Sequence, residues 1–231
     1  DIIKKYEPWL TYWVSEPDRG QSHAINKGFA RSRGEILAWL NSDDYYGSDT
    51  LKIVAKELVN KEKAILIGSS IQLDEAITGG SSLDDKKPTW ESMIFDSRNF
   101  PQPSVFWTKD LWDAAGPVDE ALYYVMDYYL WLCMRRKAKH EIYTDAVLSY
   151  VHLHPDQKWK RAEREGTLYK FTRERAAVSI RAAKDRGEIP LFWLFRLWMY
   201  RFQTAVKRKN YSLLKGSEYH WEATRQIFHL D

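Results

Sequence analysis

Two adjacent carboxylates follow a short apolar run, in a turn that could hold a divalent cation. Residues 36–40 read Ile-Leu-Ala-Trp-Leu, and residues 41–44 read Asn-Ser-Asp-Asp. The apolar run is typical of a buried strand, and ligands of open α/β sheets bind beyond the carboxyl ends of the strands. Carboxylate and amide oxygens suit Mg²⁺ or Mn²⁺, which can in turn bind phosphates. The alternative is a helix-capping loop that is merely acidic, because Asp and Asn are favoured in turns.

Asp127 is a second candidate for chemistry. It stands at the start of a helical pattern, directly before the aromatic-rich residues 128–131, Tyr-Tyr-Leu-Trp. A carboxylate in such surroundings could act as a general base, with its pKa set by burial and by its neighbours. The alternative is an acidic residue in the first turn of a helix, where it would only stabilise the helix dipole.

Two further segments could contact a phosphate. His152 and His154 follow a predicted strand at alternate positions, which places them on one side of the chain. Imidazole can bind a metal or neutralise a leaving phosphate, although a surface-loop residue is the default explanation of either histidine alone. In residues 15–28, Gly20 permits a tight turn before a helix amino terminus, where phosphate or ribose could bind. That segment fits neither the phosphate-loop nor the dinucleotide glycine pattern.

The elements that must position these residues alternate between helix and strand. Predicted helices cover residues 22–33, 48–59, 109–115 and 127–137, predicted strands cover 11–14, 36–40, 64–71, 104–107 and 141–150, and residues 74–92 form a predicted loop. This alternation predicts an α/β fold with a largely parallel sheet. A chain of 231 residues has room for one such domain and an appendage.

The appendage differs from the rest of the chain in charge. Residues 156–231 contain 17 Lys and Arg against 9 Asp and Glu, whereas residues 1–155 contain 18 against 23. Residues 191–202 are apolar nearly all round, so we expect them to pack on the domain, to mediate dimerisation, or to lie in a membrane interface through residues 189–209. No known nucleic-acid-binding module is found. The single Cys133 excludes an internal disulfide.

Several spaced blocks, taken in order, resemble family-2 inverting glycosyltransferases of the GT-A fold. The blocks are residues 16–21 (Glu-Pro-Asp-Arg-Gly-Gln), 24–28 (Ala-Ile-Asn-Lys-Gly), 34–36, 40–44, 101–106, 116–120, 127–131 and 154–157 (His-Pro-Asp-Gln). The resemblance spans about residues 12–158. It implies a GT-A-like (Rossmann-like) fold with a mixed, mostly parallel sheet and flanking helices. The catalytic domain would cover residues 1–158, and a basic, aromatic, helical extension would follow over residues 159–231.

The resemblance implies a role for each candidate residue. Asp43 would be the principal ligand of Mg²⁺ or Mn²⁺, and Asn41 would occupy the first position of a motif that more often begins with aspartate. Asp44 would support the site or contact the sugar, Asp127 would deprotonate the acceptor hydroxyl, and His154 would join the metal or diphosphate site. The implied reaction is hexosyl transfer from a nucleotide-sugar, with a UDP-sugar favoured, to a saccharide or lipid-linked acceptor.

The resemblance also places the nucleotide near Asp18, Asn26 and Lys27. Ile25 stands where many members have an arginine, so Lys27 or Arg19 is expected to replace it. The family's first strand, first helix and second strand are not found, and we expect the complete protein to carry them before residue 1. We expect a cytoplasmic enzyme of polysaccharide and cell-envelope synthesis, peripheral at the inner face of the membrane. A non-catalytic scaffold and a metal-dependent phosphoesterase are the alternatives.

Overall fold

A sheet of six strands organises the described part of the chain, which comprises residues 1–74, 77–82, 87–95 and 98–187 of the computed structural model. The strands are β1 (Ile36–Leu37), β2 (Asp44–Tyr46), β3 (Ala64–Asp74), β4 (Ile77–Ser82), β5 (Val105–Thr108) and β6 (His140–Leu153). The α-helices are α1 (Ile2–Tyr6), α2 (Gln21–Arg31), α3 (Thr50–Leu58), α4 (Trp90–Phe95), α5 (Lys109–Ala115), α6 (Met126–Lys137), α7 (Lys158–Arg164) and α8 (Leu168–Asp185). Short 3₁₀ helices lie at Glu7–Trp9 and Gln102–Ser104.

The strand order is β1-β5-β3-β6-β2, with β4 paired to β3. Among the described strands only β3 and β6 pair in parallel, and the other pairings are antiparallel. The mixed α/β class is therefore confirmed, but the prediction of a mostly parallel sheet is wrong. β1, β3 and β6 share one direction, as helix–strand alternation predicts, whereas β5 lies between β1 and β3 and runs against both. The apolar sequence of β5 indicates burial and not direction.

Alternation along the central strands separates two apolar cores, one on each face of the sheet. Ile65 and Ile67 of β3 belong to the larger core together with Trp107 of β5, whereas Leu66 joins the smaller core with Phe106. Successive side chains of a strand point to opposite faces. Residues 64–67 of β3 and 105–107 of β5 are covered on both sides in this way, which explains why each of these short runs is apolar at successive positions.

Three local expectations differ from the structure. Residues 11–14 form no strand, because they pair with no strand of the described part and β-rich composition alone does not make a ladder. The predicted loop 74–92 contains β4, which pairs with β3 through backbone groups that a Gly- and Ser-rich sequence also provides. β1 ends at Leu37 and not at residue 40, so residues 38–40 lead into the acidic turn without ladder pairing.

Helix α8 is part of the larger core. Ala176, Val178 and Ile180 are buried in that core, and α8 contacts α6 and α7. The predicted extension 159–231 thus begins with helices, while its boundary after residue 158 stays a prediction. Residues 188–231, with the apolar segment 191–202 and the predicted membrane contact at 189–209, lie outside the described residues. Within the described ranges, no helix has the length and apolar character needed to span a bilayer.

Gly68 of β3 is expected to tolerate no side chain. A Cβ at this position would overlap the Cγ and Cδ1 atoms of Leu148, which is fully buried, and would lie 3.2 Å from the carbonyl oxygen of Ala146. We predict that Gly68→Ala lowers the free energy of unfolding in urea by about 1–3 kcal/mol. Gly28→Ala in α2 is the matched control, because a Cβ there meets nothing within 4 Å. Equal losses of stability at both positions would contradict this account.

Candidate active site

A cleft of about 580 Å³ gathers the acidic turn, the start of α6 and the segment after β6. Its walls come from the chain after β1 (39 and 41–44), the chain before β5 (101–103), the start of α6 (124, 126 and 127) and the end of β6 (151, 153, 154 and 156–159), together with Gln21 and Gln72. Because β1 and β6 run in the same direction, both of their carboxyl ends open on this cleft. The structure therefore brings Asp43, Asp44, Asp127 and His154 to one cavity, together with Asn41.

Asp43 and His154 form a pair at the cleft surface. The Nε2 atom of His154 lies 2.9 Å from Oδ2 of Asp43, and the two side chains are 37% and 39% exposed. The pair joins residues 111 positions apart, one in the turn after β1 and one just beyond β6. Both groups keep access to solvent, so a cation or a phosphate entering the cleft can reach them.

Asp44 lies deeper, at the start of β2. Its Oδ2 accepts a 3.3 Å hydrogen bond from Nδ2 of Asn41, whereas its buried Oδ1 has no hydrogen-bond partner among the described residues. Burial raises the pKa of Asp44, and the hydrogen bond from Asn41 opposes that rise. A buried carboxylate oxygen without a partner is costly, and a bound cation or sugar hydroxyl would satisfy it.

Asn41 is held by two glutamine side chains. Its Nδ2 donates to Oε1 of Gln102 at 2.9 Å, and its Oδ1 accepts from Nε2 of Gln21 at 3.3 Å. Gln102 also donates to the carbonyl oxygen of Trp39 at 2.8 Å, which links the 3₁₀ helix before β5 to the end of β1. The Asn41 amide therefore donates to Asp44 from a position that two glutamine side chains fix.

The donor set fits a hard divalent cation only if substrate completes it. No group of three or more His, Cys, Asp or Glu residues within the described ranges could hold a metal ion by itself. Mg²⁺ sites commonly use one or two carboxylates together with substrate phosphates and water. Asp43 and His154, with the unpartnered Asp44 oxygen nearby, match that incomplete type of site.

Asp127 begins α6 with its carboxylate held by polar donors. The backbone N–H of Tyr128 donates to Oδ1 at 2.7 Å, and Nδ2 of Asn99 donates to Oδ2 at 3.3 Å. Burial raises the pKa of Asp127, although these hydrogen bonds and the charge of Arg175 act against the rise. Burial also lowers the pKa of Lys158, an ammonium group whose charge interacts with Asp127. A carboxylate with a raised pKa is a stronger proton acceptor.

The predicted nucleotide-contacting residues are not among those that line the cleft. Asn26 exchanges hydrogen bonds with the backbone of Val118, through Nδ2 at 2.9 Å and Oδ1 at 3.0 Å. Arg19 pairs with Glu120 at 2.6 Å, and Lys27 pairs with Glu16. Asp18 accepts a 2.7 Å hydrogen bond from the backbone N–H of Gly20, which shapes the turn before α2. These contacts tie the turn and α2 to residues 118–120.

Sequence reasoning gave no role to Gln21, Asn99 or Gln102. Gln21 and Gln102 lie inside the blocks that resemble the family, but their role becomes visible only in the structure, where their amides form hydrogen bonds with Asn41. Asn99 could have been suspected only from its distance to Asp127 in space, since the two are 28 residues apart. No periodicity in the sequence indicates such pairs.

Comparisons with known proteins match these observations. Residues 1–104 match the family model described as "Glycosyl transferase family 2". The uncharacterized glycosyltransferases MT1564 and Rv1514c, from two strains of Mycobacterium tuberculosis, are each 39% identical over 56 residues. That segment is 24% of this chain, and the match spans only 21% of either relative.

Solved structures of S. aureus TarS share the fold. TarS 1–349 in complex with UDP has a TM-score of 0.55 at 14% identity, over 100% of this chain and 78% of that one. TarS 1–349 in complex with UDP-GlcNAc has a TM-score of 0.51 at 17% identity, over 78% of this chain and 53% of that one. At these identities the likeness concerns the fold alone. Residues 1–104 of this chain therefore match glycosyl transferase family 2, within a fold that is GT-A-like.

Proposed function

We propose that this chain transfers a sugar from a nucleotide-sugar donor to an acceptor hydroxyl, with inversion at the anomeric carbon. The observation that carries the proposal is that Asp127 and the acidic turn, 83 or more residues apart in sequence, line one cleft. Asp43 and Asp44 lie within the family-matched residues 1–104, whereas Asp127 and His154 lie beyond them. Their roles are therefore argued from position and charge.

The acidic turn is the proposed diphosphate side of the cleft. Asp43 and His154 would hold Mg²⁺ or Mn²⁺, as family members generally do, with Asn41 contributing through its orientation of Asp44. The metal would supply positive charge that stabilises the departing nucleoside diphosphate. His154 can in addition donate a hydrogen bond to a phosphate oxygen, and Asp44 can accept one from a sugar hydroxyl.

Asp127 is the proposed general base. The acceptor oxygen bonds to the anomeric carbon as its proton passes to an Asp127 carboxylate oxygen. The bond from that carbon to the diphosphate oxygen breaks, and the nucleoside diphosphate leaves with the electron pair. A single displacement of this kind inverts the configuration. The Tyr128 and Asn99 donors fix the carboxylate, so that its free lone pairs can face the cleft.

The remaining site residues complete the proposal for the donor. Asp18, Arg19, Asn26 and Lys27 would contact the nucleotide from the turn and helix α2. The Arg19 side chain is 70% exposed and pairs with Glu120. Because an exposed ion pair contributes little free energy, Arg19 can leave Glu120 for a phosphate at low cost. A UDP-sugar is the proposed donor, and TarS, which shares the fold, was solved in complex with UDP-GlcNAc. The proposed acceptor is a saccharide or lipid-linked saccharide.

A panel of nucleotide-sugars with Mn²⁺ tests the proposal. We expect one donor, with UDP-GlcNAc examined first, to give heat on binding in calorimetry and to release nucleoside diphosphate when a saccharide acceptor is added. Proton NMR of the product would show the anomeric configuration opposite to that of the donor. Tight binding without turnover would instead support a non-catalytic scaffold, and release of inorganic phosphate would support a phosphoesterase.

A further inference from the structure

Helix α8 forms hydrogen bonds with the backbone just before Asp127, the proposed base. The carboxylate of Glu174 accepts hydrogen bonds from three successive backbone N–H groups, those of Tyr123 at 2.8 Å, Tyr124 at 2.6 Å and Val125 at 2.9 Å. Val125 is the N-cap residue of α6. Backbone N–H groups at the start of a helix have no intrahelical partner. Here the carboxylate of Glu174, about 50 residues further along the chain, accepts hydrogen bonds from the N–H groups that lead into α6.

The next residue of α8, Arg175, contacts Tyr128, which follows Asp127 in the chain. Arg175 is only 8% exposed, and its Nη2 donates to the carbonyl oxygens of Met93 at 3.4 Å and Arg98 at 3.1 Å. Its guanidinium carbon lies 4.0 Å from the ring centroid of Tyr128, the residue that follows Asp127. The Tyr128 hydroxyl is fixed in turn by the Met93 carbonyl at 3.0 Å.

We propose that Glu174 and Arg175 are positioning residues for Asp127, so that α8 sets where the base carboxylate lies. Consecutive side chains of an α-helix diverge by about 100°. One residue can therefore hold the chain ahead of Asp127 while the other packs behind it. The catalytic part of this inference relies on the proposed function, whereas the positioning itself does not.

The charges around Asp127 give the inference a distinctive signature. Arg175 from α8 and Lys158 from the start of α7 are positive groups whose charges interact with Asp127, and Glu174 interacts with Lys158. The carboxylates of Asp43 and Asp44 line the same cleft. Removing the Arg175 charge takes away a group that favours ionised Asp127. A residue of α8 that neither carries a charge near Asp127 nor helps to bury it would leave the ionisation of Asp127 unchanged.

The first test measures the pKa of Asp127 directly by carbon-detected NMR of its carboxyl group, assigned by comparison with Asp127→Asn. We expect Arg175→Met to raise that pKa by about one pH unit and Arg175→Lys, which keeps the charge, to raise it less. Arg173→Met is the matched control, because exposed Arg173 is a neighbour on α8 and its loss changes the net charge equally. An unchanged pKa in Arg175→Met, or an equal rise in the control, would overturn the role of Arg175.

The second test concerns Glu174. Glu174→Gln replaces the charged carboxylate by a neutral amide, and a hydrogen bond to a charged group contributes more than one to a neutral group. We therefore expect the backbone amides of residues 123–125 to exchange hydrogen about tenfold faster in this variant. Glu163→Gln on α7 is the control. Unchanged exchange at residues 123–125 overturns this half of the proposal.

Turnover separates this inference from the proposed function. If the chain transfers sugar, Glu174→Gln should lower kcat and leave the donor KM unchanged, because it displaces the base and not the diphosphate site. Neither the NMR titration nor the exchange measurement needs a substrate. A wild-type chain without transferase activity would therefore refute the proposed function, while a shifted Asp127 pKa would still establish the positioning.

Discussion

Asp127→Asn is expected to reduce turnover by roughly 10²–10⁴-fold, the usual contribution of a general base, while leaving the affinity for the donor unchanged. The amide occupies the same volume and can still accept the hydrogen bond from the Tyr128 N–H, so the start of α6 should keep its geometry. It cannot take a proton from the acceptor hydroxyl. The loss should therefore appear in kcat, measured as nucleoside diphosphate released per enzyme, with calorimetric donor binding as the second readout.

Asp156→Asn is the matched control for this variant. Asp156 also lines the cleft, but its side chain is 70% exposed and its nearest ion-pair partner, Arg164, is 3.7 Å away. Its substitution removes one negative charge from the same cavity without touching the start of α6. Transfer at the wild-type rate by Asp127→Asn would refute the assignment of the base, and an equal loss in both variants would show that only the charge of the cleft matters.

Asp127→Asn should also be at least as stable as the wild type near neutral pH. Burial raises the pKa of Asp127 in the folded protein above its value in the unfolded chain. At pH values below the unfolded pKa both states are protonated and this carboxyl costs no stability. As the pH rises from the unfolded pKa through the folded pKa, ionisation favours the unfolded chain and stability falls. Asp127→Asn removes that penalty, so its melting temperature should exceed that of the wild type more at pH 7 than at pH 3.

Local patterns predicted the parts of the fold that depend on one or two neighbours. The helical spacing of Ala24, Ile25 and Phe29 predicts α2, which the structure has at Gln21–Arg31. The apolar residues 64–67 of β3 and 105–107 of β5 predicted buried strands, because successive side chains there enter the cores on the two faces of the sheet. The acidic turn could be expected beside a cleft for a similar reason, since it follows the end of a strand.

What the sequence could not predict is non-local. The direction of β5 depends on which neighbours it meets after the chain has folded back, and its four residues are buried whichever way they run. β4 has no apolar alternation, so only its backbone ladder with β3 reveals it. Glu174 is an ordinary helix glutamate by sequence, and its role comes from three N–H groups near Asp127 in space. Such contacts leave no period in the chain.

Because Asp127 is assigned to the acceptor and Asp43 to the donor diphosphate, we predict a different defect when the acidic turn is changed. Asp43→Asn is expected to lower kcat/KM by roughly 10²–10³-fold, the range seen when one preorganised electrostatic stabiliser is lost, and to weaken donor binding as well. Asp43 is a partner of His154 at 2.9 Å and is exposed enough to meet a cation, so the amide would leave the site with one anionic ligand fewer. Chelation of divalent ions should abolish wild-type transfer, and the Mn²⁺ concentration at half-maximal rate should rise in the variant.

Asp49→Asn provides the comparison, because Asp49 is an exposed N-cap residue of α3 in the same stretch of chain and makes no capping hydrogen bond. It should leave the Mn²⁺ dependence unchanged. An identical Mn²⁺ dependence in Asp43→Asn and the wild type would remove Asp43 from the metal site. The two aspartates can then be told apart by their signatures: loss at Asp127 lowers kcat at constant donor affinity, whereas loss at Asp43 lowers donor affinity and its response to metal together. Only a cleft with a diphosphate side and an acceptor side gives both results.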